Sequence, residues 1–407
     1  MSRLSPSFRL FQFAILLGVL LGTLPESPSS HSTPNLIPAP DRLLLQYEAF
    51  VESTLVKSKA PGVAIAIATA DRIVYLKGFG RRSINAQEKI DANTSFRIAS
   101  LSKGFASVLT GMLVHDEVLQ WDDRVQKYLP DFALKNGANA QKLTICHLLS
   151  HTSGLLAHAY DGMIEDNVEF ERMAGYLKEA PITGPVGECY AYQNVAYSLI
   201  APIIANATGR TYQELLTERI FRSLGMANAS LSKAGLLASG NFASPHVMGK
   251  AQWLPAHIRD TYYSVLPAAG VNASVHDMAL WLRALMGGMP EVISLQLVQE
   301  VSAPLVATPR ERRRFNWNRR IRLAHYGLGW RVFDYAGHKL VFHSGGLHGY
   351  LSQIAFLPDE KIGIVVLQNS GFDHQFAYEF LDRYLGLNRA TSSGLGPISS
   401  ESSSDSR

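Results

Sequence analysis

The chain has 407 residues, 47% of them apolar, which is enough for the core of one large domain or two ordinary ones. A net charge of +4 is too mild for a nucleic-acid binder, and much of it comes from one arginine-rich run at 309–322. Two cysteines, Cys146 and Cys189, are too few for a disulfide scaffold, and their spacing leaves open whether they pair.

Arg3 and Arg9 flank the start of the chain, and an apolar stretch of twelve residues, Phe13–Leu24, follows. That length suits the core of an export signal and falls short of the roughly 18 apolar residues of a membrane span. Residues 1–30 are therefore read as a signal peptide or a retained N-terminal anchor, with an organellar presequence as a further alternative. The expected location is the periplasm or cell envelope. Residues 31–41 are rich in Pro and Ser and read as a linker.

A helix is expected near 41–57. Two strand-like runs follow at 62–70 and 72–80, joined by a tight turn at Asp71. From Ser100 the period changes. Phe105, Val108, Leu109, Met112 and Leu113 share one helical face. Helical and loop patterns run to about residue 300. Strands return at 327–335, 338–343, 350–358 and 361–369, and a last helix is expected at 374–386. Short links between the late strands favour antiparallel pairing. The sequence thus predicts an α/β domain over 42–388. Its antiparallel sheet draws on both chain ends, 42–100 and 300–388, and a mostly helical part, 101–299, is inserted between them. The Ser-rich segment 389–407 is expected to be disordered.

Three short motifs carry chemistry. Ser100 precedes Lys103 by three residues, close enough on a helical turn for the amine to reach the hydroxyl. A serine needs such a base, and a lysine serves as one only when burial or nearby positive charge lowers its pKa. Tyr192 stands two residues before Asn194, which places a phenol able to move a proton beside an amide able to hold a carbonyl or steady the lysine. His343, Ser344, Gly345 and Gly346 end a strand, and glycines there let backbone approach a ligand closely. The backbone N–H groups of Gly346 and Ser100 could form an oxyanion hole.

In this order, Ser100-x-x-Lys103, Tyr192-x-Asn194 and His343-x-Gly345 resemble the serine β-lactamase and penicillin-binding superfamily. The Tyr-x-Asn form resembles the class C-like branch, which includes D-Ala-D-Ala carboxypeptidases, D-amino-acid peptidases and esterases. Leu143–Leu155, Tyr326–Trp330 and Phe356–Ser370 resemble further stretches of that branch. The resemblance implies a cleft between an α/β part and a helical part. It implies Ser100 as acylated nucleophile and Lys103 and Tyr192 as acid–base groups. Asn194, His343, Gly345 and Gly346 would bind substrate. No metal or organic cofactor is implied. The expected partner is a small-molecule or peptide substrate, peptidoglycan among them. Class C enzymes typically carry Lys-Thr-Gly where this chain has His343-Ser344-Gly345, so peptidase and esterase chemistry is favoured over β-lactam turnover. The alternatives are a true β-lactamase and a non-catalytic penicillin or peptidoglycan sensor.

Other features read as structural. His151 belongs to Leu148–Gly154 and is taken as a packing residue. His158, seven residues on, forms no metal pair with it. The run Pro309–Arg322 holds seven arginines and one glutamate. It is read as a solvated insertion, with contact between Arg310–Arg322 and an anionic envelope as the alternative.

Overall fold

The computed structural model describes residues 40–314 and 319–387. The expected signal, all but the end of the linker, Phe315, Trp317 and the 389–407 tail lie outside the described residues. No described helix is long and apolar enough to cross a membrane.

Twelve strands form among the described residues: β1 (Gly62–Thr69), β2 (Ile73–Gly80), β3 (Ser95–Arg97), β4 (His246–Met248), β5 (Trp253–Pro255), β6 (Asn272–Ser274), β7 (Val306–Ala307), β8 (Ile321–Tyr326), β9 (Arg331–Tyr335), β10 (His338–Leu347), β11 (Tyr350–Leu357) and β12 (Ile362–Gln368). Eight make one antiparallel sheet in the order β2-β1-β12-β11-β10-β9-β8-β7. The predicted joining of the two chain ends occurs at β1 and β12, whose register runs from Val63 opposite Gln368 to Thr69 opposite Ile362.

These central strands read as continuous apolar runs because both their faces are buried. Alternation splits them between two cores. Val63, Ile65 and Ile67 join one core with the first helix, Pro40–Ser58, and the last, Phe376–Tyr384. Ala64, Ala66 and Ala68 join the other, built with the inserted helices. The Tyr47 hydroxyl donates to the Phe376 carbonyl at 3.0 Å and ties the two terminal helices together.

The helix Ser102–His115 is buried on nearly every side from Ser102 to Leu113, so it exceeds the one-sided apolar face that its period predicts. The insert is also less purely helical than expected. β3 pairs with β6 beneath the cleft, and β4 pairs with β5.

Two further differences lie near the cleft. The stretch 327–330 is a turn, closed by the Gly327 N–H donating to the Trp330 carbonyl at 2.8 Å, and the strand begins only at Arg331. Gly329 has φ +77° there, and a Cβ on it would stand 2.8 Å from the Lys103 carbonyl. The arginine-rich run is solvated as read, with Arg310, Arg312, Arg313, Arg319 and Arg322 exposed, but it is structured at both its ends. Glu311–Arg314 forms a helical turn, β8 starts at Ile321, and Arg320 pairs with Asp382 at 3.2 Å. Glu311 is buried.

Candidate active site

Ser100 sits on a single 3₁₀ turn, Ala99–Leu101, just before the Ser102–His115 helix. The turn is strained: Ala99 has φ +50°, a region that L side chains rarely occupy. Its surroundings hold it. The Ile98 N–H donates to the Val271 carbonyl at 3.1 Å, and the Ser352 hydroxyl donates to the Ile98 carbonyl at 2.6 Å. The Ser102 hydroxyl donates to the Ala99 carbonyl at 2.6 Å and accepts from the Val271 N–H at 3.0 Å. Ser100 itself stays half-buried and lines a cleft of about 440 Å³ with Tyr192, Asn194, Gly345 and Gly346.

Lys103 lies behind this wall, fully buried. Its Nζ donates to Asn194 Oδ1 at 2.8 Å and to the Ala268 carbonyl at 3.0 Å. It stands 4.5 Å from the centre of the Tyr192 ring and 5.3 Å from that of Tyr197. Burial is the main force holding its pKa well below the ordinary lysine value, and the Arg331 charge adds to it. The Asp161 carboxylate acts the other way. Asp161 is tied into the same group, because its Oδ2 accepts from Asn194 Nδ2 at 2.9 Å and from His158 Nδ1 at 2.8 Å. A desolvated amine on these acceptors, against a phenol ring and one turn from a serine, can take up a proton as that serine attacks a carbonyl.

Gly345 is required by contact. A Cβ there would stand 2.5 Å from the Ile98 carbonyl oxygen and 2.7 Å from Ser100 N, so β10 presses directly on the serine turn. Gly346 faces open space. β9 pairs with β10 only as far as Phe342. Among the described residues, the stretch 343–347 therefore has no strand on its outer edge.

His343 corrects one expectation. It does not line the cleft: it is buried, 1% exposed. Its Nδ1–H donates to the Ser344 carbonyl at 2.8 Å. Nε2 is then the acceptor, facing the Tyr326 hydroxyl at 3.1 Å and Arg331 Nη1 at 3.2 Å. Burial, followed by the charges of Arg331 and Lys103, holds its pKa well below the ordinary histidine value. The imidazole is neutral, and the permanent positive charge on this wall belongs to Arg331. That guanidinium lines the cleft, bonds Glu311 Oε2 through Nε at 3.0 Å, and lies 5.7 Å from the Tyr192 ring.

Sequence reasoning missed Arg331, Asp161 and Glu311. No local pattern marks Arg331 in Tyr326–Arg331; it opens β9, and its long side chain reaches the site through its contacts with Glu311 and His343. Glu311 is masked by the arginines around it. His151 is structural, as read, but what it packs against is Tyr192, at 4.3 Å between ring centres. Its Nδ1 accepts from the Gln193 N–H at 3.1 Å and its carbonyl from the Ala191 N–H at 2.8 Å, which grips the tyrosine from both sides. Cys146 and Cys189 are both free thiols.

Comparison with known proteins agrees with this geometry. The sequence pattern of the Beta-lactamase family matches residues 47–384. The chain is 26% identical over 399 residues to the Unguisins hydrolase ungD of Aspergillus violaceofuscus, covering 89% of this chain and 67% of that protein. It is 26% identical over 329 residues to Protein flp of Staphylococcus aureus, covering 80% and 62%. It thus spans about two thirds of the length of these relatives. The octameric penicillin-binding protein homologue from Pyrococcus abyssi superposes with a TM-score of 0.75 at 25% identity, over 84% of this chain and 77% of that one.

Proposed function

The chain belongs to the beta-lactamase family, whose members are serine hydrolases, and from that premise we propose that it cleaves amide or ester bonds through an acyl-enzyme on Ser100. The Ser100 hydroxyl attacks the substrate carbonyl carbon, and its proton passes to Tyr192 and Lys103. The backbone N–H groups of Ser100 and Gly346 hold the oxyanion. As the tetrahedral intermediate collapses, the same groups return the proton to the departing amine or alcohol. Water, deprotonated the same way, then releases the acid and regenerates the serine. Asn194 keeps the lysine amine in line through the 2.8 Å bond and touches the substrate.

The observation that carries this reading is the state of Lys103: buried, low in pKa, and held on acceptors alone beside Tyr192. The favoured substrates are D-amino-acid peptides of cell-wall type, then small esters, then β-lactams. A fixed guanidinium in the cleft supports substrates that carry a carboxylate. Export to the cell envelope is part of the proposal and would bring the enzyme to such peptides.

The test is incubation of the purified protein with a penicillin, followed by intact mass, beside Ser100→Ala. A persistent adduct in the wild type that is missing in the variant is the expected result for a slowly deacylating carboxypeptidase type. Consumption of penicillin without an adduct would identify a β-lactamase. If penicillin stays intact, hydrolysis of a chromogenic D-alanyl ester that depends on Ser100 still supports the proposal. Turnover unaffected by Ser100→Ala would refute it.

A further inference from the structure

The cleft does not stop at the face of the sheet where Ser100 lies. Alternation along β10 puts Val341, His343 and Gly345 on that face and Phe342 and Ser344 on the other. Phe342 and its ladder neighbour Ala355 belong to the core of the terminal helices. Ser344 pairs with Gln353, so their side chains share that far face. Both nevertheless line the cleft, together with Asp373 and Gln375 from the segment that leads into the last helix. The cleft therefore passes around the open edge of β10 and has a second lobe on the other side.

The chemistry of this lobe differs from that of the first. Asp373 Oδ2 accepts from Gln353 Nε2 at 3.1 Å, and Oδ1 accepts from the Gln375 N–H at 2.7 Å. Among the described residues, Asp373 makes no ion pair. Gln353 is 1% exposed, and its Oε1 is buried with no hydrogen-bond partner among the described residues. Such a group is costly unless something donates to it. A carboxylate without a cation, an unmet amide oxygen and the Ser344 hydroxyl together present acceptors in a site that opens onto the reaction centre.

We propose that this lobe is a subsite for a substrate ammonium group, such as the free α-amino group of an aminoacyl substrate. The inference rests on the hydrolase reading and narrows its substrate class. An ammonium brings three donors and one positive charge, matching the unmet oxygen and the carboxylate. Arg331 lines the same cleft, so its lining carries a cation as well as the Asp373 carboxylate. A zwitterionic substrate would lie with its carboxylate toward Arg331 and its ammonium toward Asp373. A neutral N-acylated substrate would leave the lobe unmatched.

The experiment compares D-alanine p-nitroanilide with its N-acetyl form in the wild type, Asp373→Asn and Asp373→Glu. The wild type is expected to favour the free amine about tenfold or more in kcat/KM. Asp373→Asn should bring the ratio near one by slowing only the free amine, and Asp373→Glu should restore part of it. Equal handling by the wild type, or a preference unmoved by Asp373→Asn, overturns the subsite and leaves the hydrolase reading standing. If neither anilide is cleaved, binding of D-alaninamide and N-acetyl-D-alaninamide to Ser100→Ala decides by calorimetry. Preferential binding of the amine that is lost on adding Asp373→Asn supports the subsite; binding without that difference overturns it.

Discussion

Lys103 lies buried behind the serine wall of the cleft and His343 behind the β10 wall, and both are bases whose pKa is pushed down mainly by desolvation. Their partners separate them. Lys103 Nζ meets acceptors, Asn194 Oδ1 and the Ala268 carbonyl, so it can hold a proton when one arrives. His343 Nε2 meets the Arg331 guanidinium, which can only donate, and the Tyr326 hydroxyl, so a proton there would have one hydroxyl oxygen to point at beside a permanent positive charge. Burial sets how far a base is shifted, and the polarity of its neighbours sets whether it can still work as one. On this reading the lysine is a proton acceptor for catalysis, while the histidine is a fixed strut for Arg331.

The sharpest way to break the contrast is where the two walls touch. Gly345→Val adds atoms where even a Cβ lies 2.5–2.7 Å from the Ile98 carbonyl, Ser352 Oγ and Ser100 N. The serine turn must move, and kcat/KM should fall on the order of 10³-fold, about 4 kcal/mol of transition-state stabilisation. Gly346→Ala, one residue on, adds a carbon that meets nothing within 4 Å and should cost less than about tenfold. Steady-state kinetics on one chromogenic ester checks both. Comparable losses would mean that β10 does not brace Ser100.

His343→Lys tests the strut itself by introducing a lysine at this position. The new ammonium would be buried beside the Arg331 charge, with the Tyr326 hydroxyl oxygen as its acceptor. Unfolding in urea should show a loss of roughly 3 kcal/mol, in line with an uncompensated buried charge. No rise in penicillin hydrolysis is expected, because the cationic role already belongs to Arg331. Stability equal to wild type together with new β-lactam turnover would reverse the assignment.

How much of this could be read in the sequence follows the same division. Lys103 was legible because its partner in chemistry, Ser100, is three residues away and the helical period continues through it. Tyr192 and Asn194 were legible as a pair. The terminal strands were legible because burial on both faces leaves unbroken apolar runs, as in Gly62–Thr69. The polarity around His343 was not legible. It depends on Arg331 from the next strand, on Tyr326 before a turn, and on Glu311 concealed in a run of arginines. β8 was hidden for the same reason: Arg322, Leu323 and His325 face outward, and only Ile321, Ala324 and Tyr326 are buried. Asp161 reaches Asn194 only through the fold.

The electrostatic balance on Lys103 yields a signed prediction. Asp161 raises its pKa and Arg331 lowers it. In the proposed mechanism the neutral amine is the active form, so the acid limb of kcat/KM against pH reports that ionisation, coupled to Tyr192. Asp161→Asn removes a charge that favours the ammonium and should move the limb to lower pH. Arg331→Gln removes a charge that disfavours it and should move the limb to higher pH. Each shift should be about one pH unit or less. Shifts in the same direction would show that the limb belongs to another group.

The last effect concerns His374, a buried imidazole outside the machinery. Its Nε2 has no hydrogen-bond partner among the described residues, and burial pushes its pKa down to about 4. The unfolded chain holds a proton on this ring below about pH 6.5, and the folded chain refuses it until about pH 4. Its contribution to stability is therefore complete above 6.5 and is lost as pH falls toward 4, about 2 kcal/mol by pH 5. His343 and His151 push the same way, whereas Asp373, whose pKa is raised by burial, pushes the other way. Wild-type data alone would mix these groups. The difference between wild type and His374→Gln in urea midpoint, taken at pH 7 and pH 5, isolates the one ring. The variant should lose less stability on acidification than the wild type. Equal losses would mean that His374 finds a partner in solution that relieves its burial, which would place it closer to Lys103 than to His343 in kind.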